Sequence, residues 1–497
     1  MNKKKKLAIG AYSIGLTAVV VAVVIALNLL VGQLPTVFTK LDASPDKLIT
    51  IGADTKTVLK GIKDDVTIYH ISTESGKADP NLEGMLERYA SASSKIKLAT
   101  VDPLKEPAFT KKYTDATLAN HSLIVVSEKR STVVDSAKFY QYEVDGYEGQ
   151  YLSYADYNYY AQQMAYYGLS VSATEYFFAE NEITRALDYV SHDTLPVVYE
   201  LSGHKESSLL SAAMGGIIAD ENVELKSLEL LKGETVAVPE DATAVILNVP
   251  QTDITTAEKD ALISYLDRGG QVILSTYVSL YTAEKMPNLA LVCSHMGLKA
   301  IENYVFESNT DGYSQYPFYL LPSVTGKGVT APLAKSGLYT YMIESHAIVT
   351  TGENANITAY PLLETTSGAY LYTEEMEKDP ENTELVDKAQ KAVRSLAYQS
   401  TISDGEGNAK GSLYWFASPY FFTDNFVGYG NSEILITLLT DICDKPTAVS
   451  VIGKAITQSY MQVTETDSLV WTVTLVGALP LISIIAGFAV WYRRRSR

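Results

Sequence analysis

The sequence predicts an α/β protein held in a membrane by a helix at each end. Three observations carry that prediction. Residues 7–31 and 469–492 are apolar runs without a charged side chain, each long enough to cross a bilayer core of about 30 Å as a helix. Between them, apolar residues switch repeatedly between period-2 and period-3.6 spacing, with Gly, Pro and Asp punctuation at the switches. All 58 acidic residues but only 32 of the 40 basic ones fall in residues 32–468, giving that portion a net charge of −26.

The first run, "LAIGAYSIGLTAVVVAVVIALNLLV", follows Lys3, Lys4, Lys5 and Lys6, in a basic tail over residues 1–6. Its apolar core exceeds the roughly 7–15 residues of a cleavable signal, and the "GQLPTVFTKLD" after it has no A-x-A pattern, so it reads as a retained anchor. Gly10, Ala11, Ser13 and Gly15 offer either a close-packing face for a partner helix or a stripe of small residues toward lipid. The second run ends at Arg493, Arg494, Arg495 and Arg497, in a basic tail over residues 493–497. Trp471, Trp491 and Tyr492 stand where an interfacial aromatic belt is expected, and Pro480 is expected to kink the helix. A buried core helix is the competing reading of either run, disfavoured by length and flanks. Positive charge at both outer ends puts both termini in the cytoplasm and residues 32–468 outside the cell membrane.

An ectodomain this acidic excludes nucleic acid as a partner and flat adhesion to anionic lipid. Its two cysteines, Cys293 and Cys443, are expected as separate buried thiols, with one disulfide the alternative. Neither a disulfide framework nor Cys/His metal spacing is present, and no cofactor is implied.

The first unit spans residues 47–138. "DVTIYHI" (65–71) is a strand, and "NLEGMLERYAS" (81–91) sets Leu82, Met85, Leu86 and Tyr89 on one helical face. "KIKLATVD" (95–102) alternates as a strand; Pro103 and Pro107 break it, and a short helical segment reaches Tyr113. "SLIVVS" (122–127) and "RSTVVD" (130–135) read as a strand pair. This β-α-β-α-β-β order resembles a thioredoxin-like fold. No cysteine precedes Cys293, so there is no CxxC pair and thiol exchange is excluded; the unit is expected to bind or scaffold.

Residues 139–191 form a tyrosine-rich insert and connecting helix. "FYQYEVDGYEGQYLSYADYNYYAQQMAYYG" (139–168) reads as a hairpin and helix packed on a neighbouring domain, or as a sugar- or protein-contacting surface carried by Tyr154, Tyr157 and Tyr160. "ATEYFFAENEITRALDYVS" (173–191) reads as one amphipathic helix.

A second α/β unit spans residues 195–446, followed by a linker over 447–468. It opens with "LPVVYELSGHKESSLL", a strand, a glycine turn, a polar cluster and an apolar segment. "SSLLSAAMGGIIADE" reads as a helix, and "VELKSLEL" and "ATAVILNVP" as strands. In "ITTAEKDALISYLDRGGQVILSTY" (254–277), Thr255 and Glu258 form a capping box. Ala261, Leu262, Tyr265 and Leu266 make the buried stripe, and Gly269-Gly270 ends the helix before a strand. A strand, loop and helix recur over 411–444, so a mostly parallel, doubly covered sheet is expected.

The order of these motifs, with the anchor at each end, resembles the GldG-like auxiliary components of ABC transport systems. The resemblance covers nearly the whole chain, through "ITIGADTKTVLKGIKDDVTIYHI", "LERYASASSKIKLATVDPLKEPAF", "LSGHKE", "VPEDATAVILNVPQTDITTAEKDALISYLDRGGQVIL" and "GYGNSEILITLLTDI". It implies a class I glutamine-amidotransferase-like fold for the second unit, without its chemistry. It also implies an outward-facing subunit that accompanies an ABC-2-type permease and its cytoplasmic ATPase. The insert at 139–168 is richer in tyrosine than the resemblance leads one to expect.

For catalysis, His204 beside Glu206 is the candidate dyad. Cys293 lies close to His295 but lacks the glycines of a nucleophile elbow, and no G-x-S-x-G, HExxH or Walker A motif occurs. His204 and Glu206 are therefore expected in a loop, as structural or ligand contacts at the carboxyl end of a strand. The expected function is a non-enzymatic accessory subunit that couples, gates or captures. The alternatives are a membrane-anchored envelope hydrolase using carboxylates such as Glu206 and Asp424, or a glycan sensor using the tyrosine surface.

Overall fold

A computed structural model describes residues 44–445 apart from 74–76, 147–150, 234, 336, 353–354, 381 and 405–408. It also describes Asp42, Val451, residues 453–457 and 470–495, and helical positions between Val19 and Ala26. The predicted amino-terminal anchor otherwise lies outside the described residues.

The first sheet joins β1 (Val66–Ile71), β2 (Ile96–Val101), β3 (Leu123–Val126) and β4 (Ser131–Val134) in the order β2-β1-β3-β4. β1 and β2 are parallel, as a crossover helix between them requires; β3 runs antiparallel to both of its neighbours. Helix α1 (Ala53–Gly61) precedes β1, α2 (Pro80–Ala92) links β1 to β2, and a single turn, α3 (Pro107–Thr110), follows β2. Asp79 caps α2 by accepting from the amides of Asn81 and Leu82, with Pro80 at the first helical position. The predicted stripe Leu82, Met85, Leu86 and Tyr89 is buried.

The insert supplies β5 (Tyr140–Val144), β6 (Tyr151–Ser153), helix α4 (Tyr154–Tyr166) and β7 (Ala173–Phe177). The expectation of one helix over 173–191 is corrected here. Residues 173–177 form a strand along the whole of β5, and α5 begins only at Ala179 and ends at Ser191. Thr174, Tyr176 and Phe177 are residue types that suit a ladder once β5 is beside them, and that partner is distant in sequence. Ile183, Leu187 and Val190 of α5 pack with Val66, Ile68, Leu82 and Leu123, so a single core runs through residues on both sides of position 138.

In the second unit β8 (Val197–Leu201), helix α6 (Ala213–Asp220), β9 (Glu224–Leu228), β10 (Ala242–Asn248), helix α7 (Thr256–Asp267) and β11 (Gln271–Ser275) follow in turn. The Thr255–Glu258 capping box is formed in both directions, and Gly269 takes φ +109° after the helix. Helix α8 (Pro287–His295) leads to β12 (Leu298–Glu307), β13 (Tyr319–Leu320), β14 (Ser323–Val324), β15 (Met342–Ile343), β16 (His346–Thr350), β17 (Ile357–Glu364) and β18 (Ala369–Leu371). The unit ends with β19 (Ser395–Ser403), β20 (Ala409–Phe416) and helix α9 (Gly430–Ile442).

The large sheet has the order β14-β17-β19-β20-β11-β10-β8-β9. β20, β11, β10, β8 and β9 are parallel, whereas β19, β17 and β14 add an antiparallel wing, so the expected mostly parallel sheet is mixed. Alternate residues serve opposite faces. Ile246 and Ile273 meet Met214, Ile218, Leu435 and Leu438, while Val245, Leu247 and Leu274 meet Leu262, Leu266 and Leu289. Both faces are therefore covered, which is what apolar runs such as "AVIL" require.

The chain then returns to the first unit. β21 (Lys454–Ala455) pairs with β7, completing a sheet of order β21-β7-β5-β6. Val470–Arg493, 24 residues with an 18-residue stretch of mean hydropathy 2.3, is the one helix among the described residues long and apolar enough to cross a membrane. Its Val473–Ala478 stretch is π-helical and leads into Leu479–Arg495. The wide turn absorbs Pro480, which has no amide to donate and whose ring crowds the preceding turn.

Candidate functional site

The parallel strands run in the order β9-β8-β10-β11-β20, so the direction of winding reverses between β8 and β10. Their carboxyl ends flank the crevice where open α/β sheets bind ligands. His204 sits just after β8, in a turn bent by Gly203 (φ +127°) and Lys205 (φ +60°). Val249 sits just after β10 with φ +54°, a conformation costly for a β-branched residue.

The crevice is laced by hydrogen bonds. Asn248 Nδ2 donates to the Ser207 carbonyl at 2.7 Å, Ser275 Oγ donates to Asn248 Oδ1 at 2.7 Å, and the Val249 amide donates to Ser275 Oγ at 3.0 Å. The His204 carbonyl accepts from the amide of Gln251 at 2.9 Å.

His204 and Glu206 do form a pair: Nδ1 lies 2.8 Å from Glu206 Oε1, and Glu206 Oε2 accepts from the His204 amide at 2.8 Å. A third member was not legible in sequence. His204 Nε2 lies 3.1 Å from Glu258 Oε2, the same oxygen that completes the capping box of α7. The three side chains are 7%, 3% and 2% exposed. The hydrogen bond to Glu206 raises the His204 pKa above its ordinary value, against the opposing effect of burial. Burial pushes the Glu206 carboxyl up, but its hydrogen bonds with His204 and with backbone amides outweigh this and hold it below the ordinary value. Both ring nitrogens face carboxylate oxygens, an arrangement that favours the imidazolium, and neither is free to take a proton from a substrate. It clasps the loop after β8 to the start of α7.

The remaining sequence candidates lie elsewhere. Asp424 Oδ1 accepts from the Met214 amide at the start of α6, so it and Glu206 serve different elements. Tyr142 stacks on Tyr157 with centroids 4.8 Å apart and lies 5.8 Å from Tyr154. Tyr157 and Tyr160 are half-buried against the insert's sheet, whereas Tyr154 is exposed. Cys293 and Cys443 are free thiols. Burial pushes Cys293 up to about 12, and His295 pairs instead with Asp267 at 2.8 Å.

Two other histidine sites had no local signal. His346 is fully buried, with Nε2 2.8 Å from Thr276 Oγ1, which also accepts from Trp415 Nε1 at 2.8 Å; burial brings His346 down to about 4. His70 Nε2 lies 3.0 Å from His121 Nδ1, and His121 Nε2 lies 2.7 Å from the Lys77 carbonyl. A carbonyl only accepts, so His121 Nε2 carries a proton.

A cleft of about 940 Å³ lies at the opposite, amino ends of β8, β9 and β10, between the two units. Two of its lysines are paired: Lys129 with Asp64 and Asp193 at 3.0 and 3.3 Å, and Lys226 with Glu224 at 2.8 Å. Among the described residues no group of three His, Cys, Asp or Glu side chains is placed to hold a metal ion.

Residues 45–140 match a family described as a domain of unknown function (DUF7088). That match covers the first sheet. No curated protein matches the chain. Among solved structures, the mmIFT52 N-terminal domain is similar at 16% identity and a TM-score of 0.37, over 50% of this chain and 97% of that one. A ThuA-like protein from Parabacteroides merdae gives 11% and 0.29, over 52% and 97%. A glutamine amidotransferase from Thermotoga maritima gives 10% and 0.24, over 51% and 100%.

Proposed function

We propose that this chain is a non-catalytic, extracytoplasmic auxiliary subunit of an ABC-2-type transport system, anchored in the cell membrane by two helices with both termini in the cytoplasm. The observation that carries this reading is where the two ends of the ectodomain meet. Thr457 Oγ1 donates to Asp46 Oδ2 at 3.1 Å across 411 residues of sequence, so residues near the two ends of the fold lie side by side. Two adjacent anchors would form one stalk able to pack on a multi-span permease.

The order β2-β1-β3-β4, with β3 antiparallel to its neighbours, supports a thioredoxin-like scaffold for the first unit. The parallel order β9-β8-β10-β11-β20 supports an amidotransferase-like fold for the second. The saturated His204 and the inert Cys293 support a fold used without that chemistry.

The test is purification of the tagged full-length chain in mild detergent, before and after crosslinking, with mass spectrometry of its companions. A multi-span permease and an ATPase in fixed ratio are expected. The chain arriving alone in both preparations would overturn the reading.

A further inference from the structure

The register of the insert's sheet determines which of its ends faces the departing chain. β21 runs antiparallel to β7, with Lys454 opposite Phe177 and Ala455 opposite Tyr176, and the ladder continues through the Ile456 amide to the Glu175 carbonyl at 2.7 Å. The chain therefore leaves past Thr457 at the end of the sheet where β7 begins, at Ala173, and where β5 finishes, with Val144 opposite Ala173.

Helix α4 returns to that same end. It closes at Tyr166, Gly168 takes φ +73°, and the Leu169 amide donates back to the Met164 carbonyl at 3.0 Å. Four residues carry the chain from Leu169 to Ala173, which keeps the helix tip within about 14 Å of the start of β7, at the end of the sheet where the chain leaves. Twelve residues, 458–469, separate Thr457 from Val470 and the membrane helix, a reach of at most about 45 Å.

The composition of the tip is unlike that of the rest of the ectodomain. No charged side chain occurs from Tyr157 through Thr174, in a portion whose net charge is −26. Tyr166, Tyr167 and Leu169 are 85%, 69% and 59% exposed. Tyrosine rings with an apolar body and a polar tip settle at the level of lipid headgroups.

We propose that the tip Tyr166–Leu169 rests in the headgroup layer of the bilayer that holds the membrane helix, against zwitterionic lipid. The surface is uncharged, and Asp145 at the same end of the sheet, its amide bonded to the Ser172 carbonyl, works against anionic lipid. This contact sets the tilt of the ectodomain above the membrane. It rests on the reading of the carboxyl-terminal helix as membrane-spanning.

The test uses the full-length chain, purified alone and reconstituted in phosphatidylcholine vesicles, with Cys443→Ser to remove the half-buried thiol. An environment-sensitive dye is placed by Tyr167→Cys, by Trp471→Cys in the membrane helix, or by Lys232→Cys on the second unit. Quenching by headgroup spin-labelled phosphatidylcholine is read at each. The dye at 167 is expected to be quenched several-fold more than at 232, approaching the level at 471. An unquenched dye at 471 would mean that the membrane reading itself has failed. Quenching at 471 with 167 no different from 232 overturns the present inference alone. Leu169→Cys gives the same measurement if Tyr167→Cys does not fold. Quenching at 167 that needs phosphatidylglycerol, or that needs a co-reconstituted permease, overturns the assignment to zwitterionic lipid.

Discussion

Lys454 and Glu180 form a buried ion pair, Nζ to Oε2 at 2.5 Å, that ties strand β21 to helix α5. Glu180 is 2% exposed, and its other oxygen accepts from the Gly52 amide and from Thr55 Oγ1 at 2.5 and 2.7 Å. One carboxylate therefore holds the entering and the departing segments together. Lys454→Met leaves Glu180 buried with a charge lacking its cation, a loss of about 3 kcal/mol. Chemical denaturation of the full chain should show it, and proteolysis after residue 445 should quicken. An unchanged midpoint would remove Glu180 from the account of how the two ends are joined.

The clasp of His204 with Glu206 and Glu258 predicts a pH window. The folded His204 pKa is raised, so its contribution is complete below the unfolded value of 6.5 and is lost as pH rises through the folded value. The folded Glu206 pKa is lowered, so its contribution is present above the unfolded value of 4.5 and is lost as pH falls through the folded value. Between 4.5 and 6.5 the two overlap. Glu206→Gln should cost about 1.5–3 kcal/mol at pH 6, and that cost should shrink as pH rises above 6.5. A penalty of equal size at pH 6 and pH 9 would contradict an imidazolium at this position.

Adjacent glycines in α6 should respond in opposite directions. A Cβ on Gly215 would run into the backbone carbonyl of Leu209, whereas one on Gly216 would meet nothing. Gly215→Ala should destabilise by about 3 kcal/mol, because backbone cannot give way as a side chain can. Gly216→Ala should stabilise by about 0.5–1 kcal/mol through helix propensity. Melting curves of the two variants are the check.

Both thiols should be unreactive in the folded chain. With Cys293 pushed up to about 12 by burial, its thiolate fraction at pH 8 is roughly one part in ten thousand. Cys443 is pushed up to about 11, again chiefly by burial. Iodoacetamide at pH 8 should modify neither appreciably until denaturant is added, after which both react. A mass two hydrogens short, with no thiol released on unfolding, would reveal the disulfide that the structure lacks.

Local patterns made part of this molecule legible. The stripe Leu82, Met85, Leu86 and Tyr89 specifies α2, the Thr255–Glu258 box specifies the start of α7, and uninterrupted apolarity specifies the helix over 470–493. Each rests on residues within a few positions of one another, where propensity and periodicity act. β17 was illegible for a related reason. Pro361 interrupts its alternation, and the strand is tolerated only because the register against β19 shifts between Pro361 and Leu363. The site divides in the same way. His204 and Glu206, two residues apart, could be paired on paper, but Glu258 lies 54 residues on and showed only its capping role.

The sequence by itself determined the α/β class, the acidic charge of residues 32–468 and the apolar helix that follows them. Only the tertiary structure decided that residues 173–177 extend a sheet, that His204 is saturated, and that Asp46 meets Thr457. The physical reason is common to all three. A ladder, an ion pair or a hydrogen bond between residues far apart in sequence leaves no periodic trace in the chain, because it depends on the packing that brings the partners together.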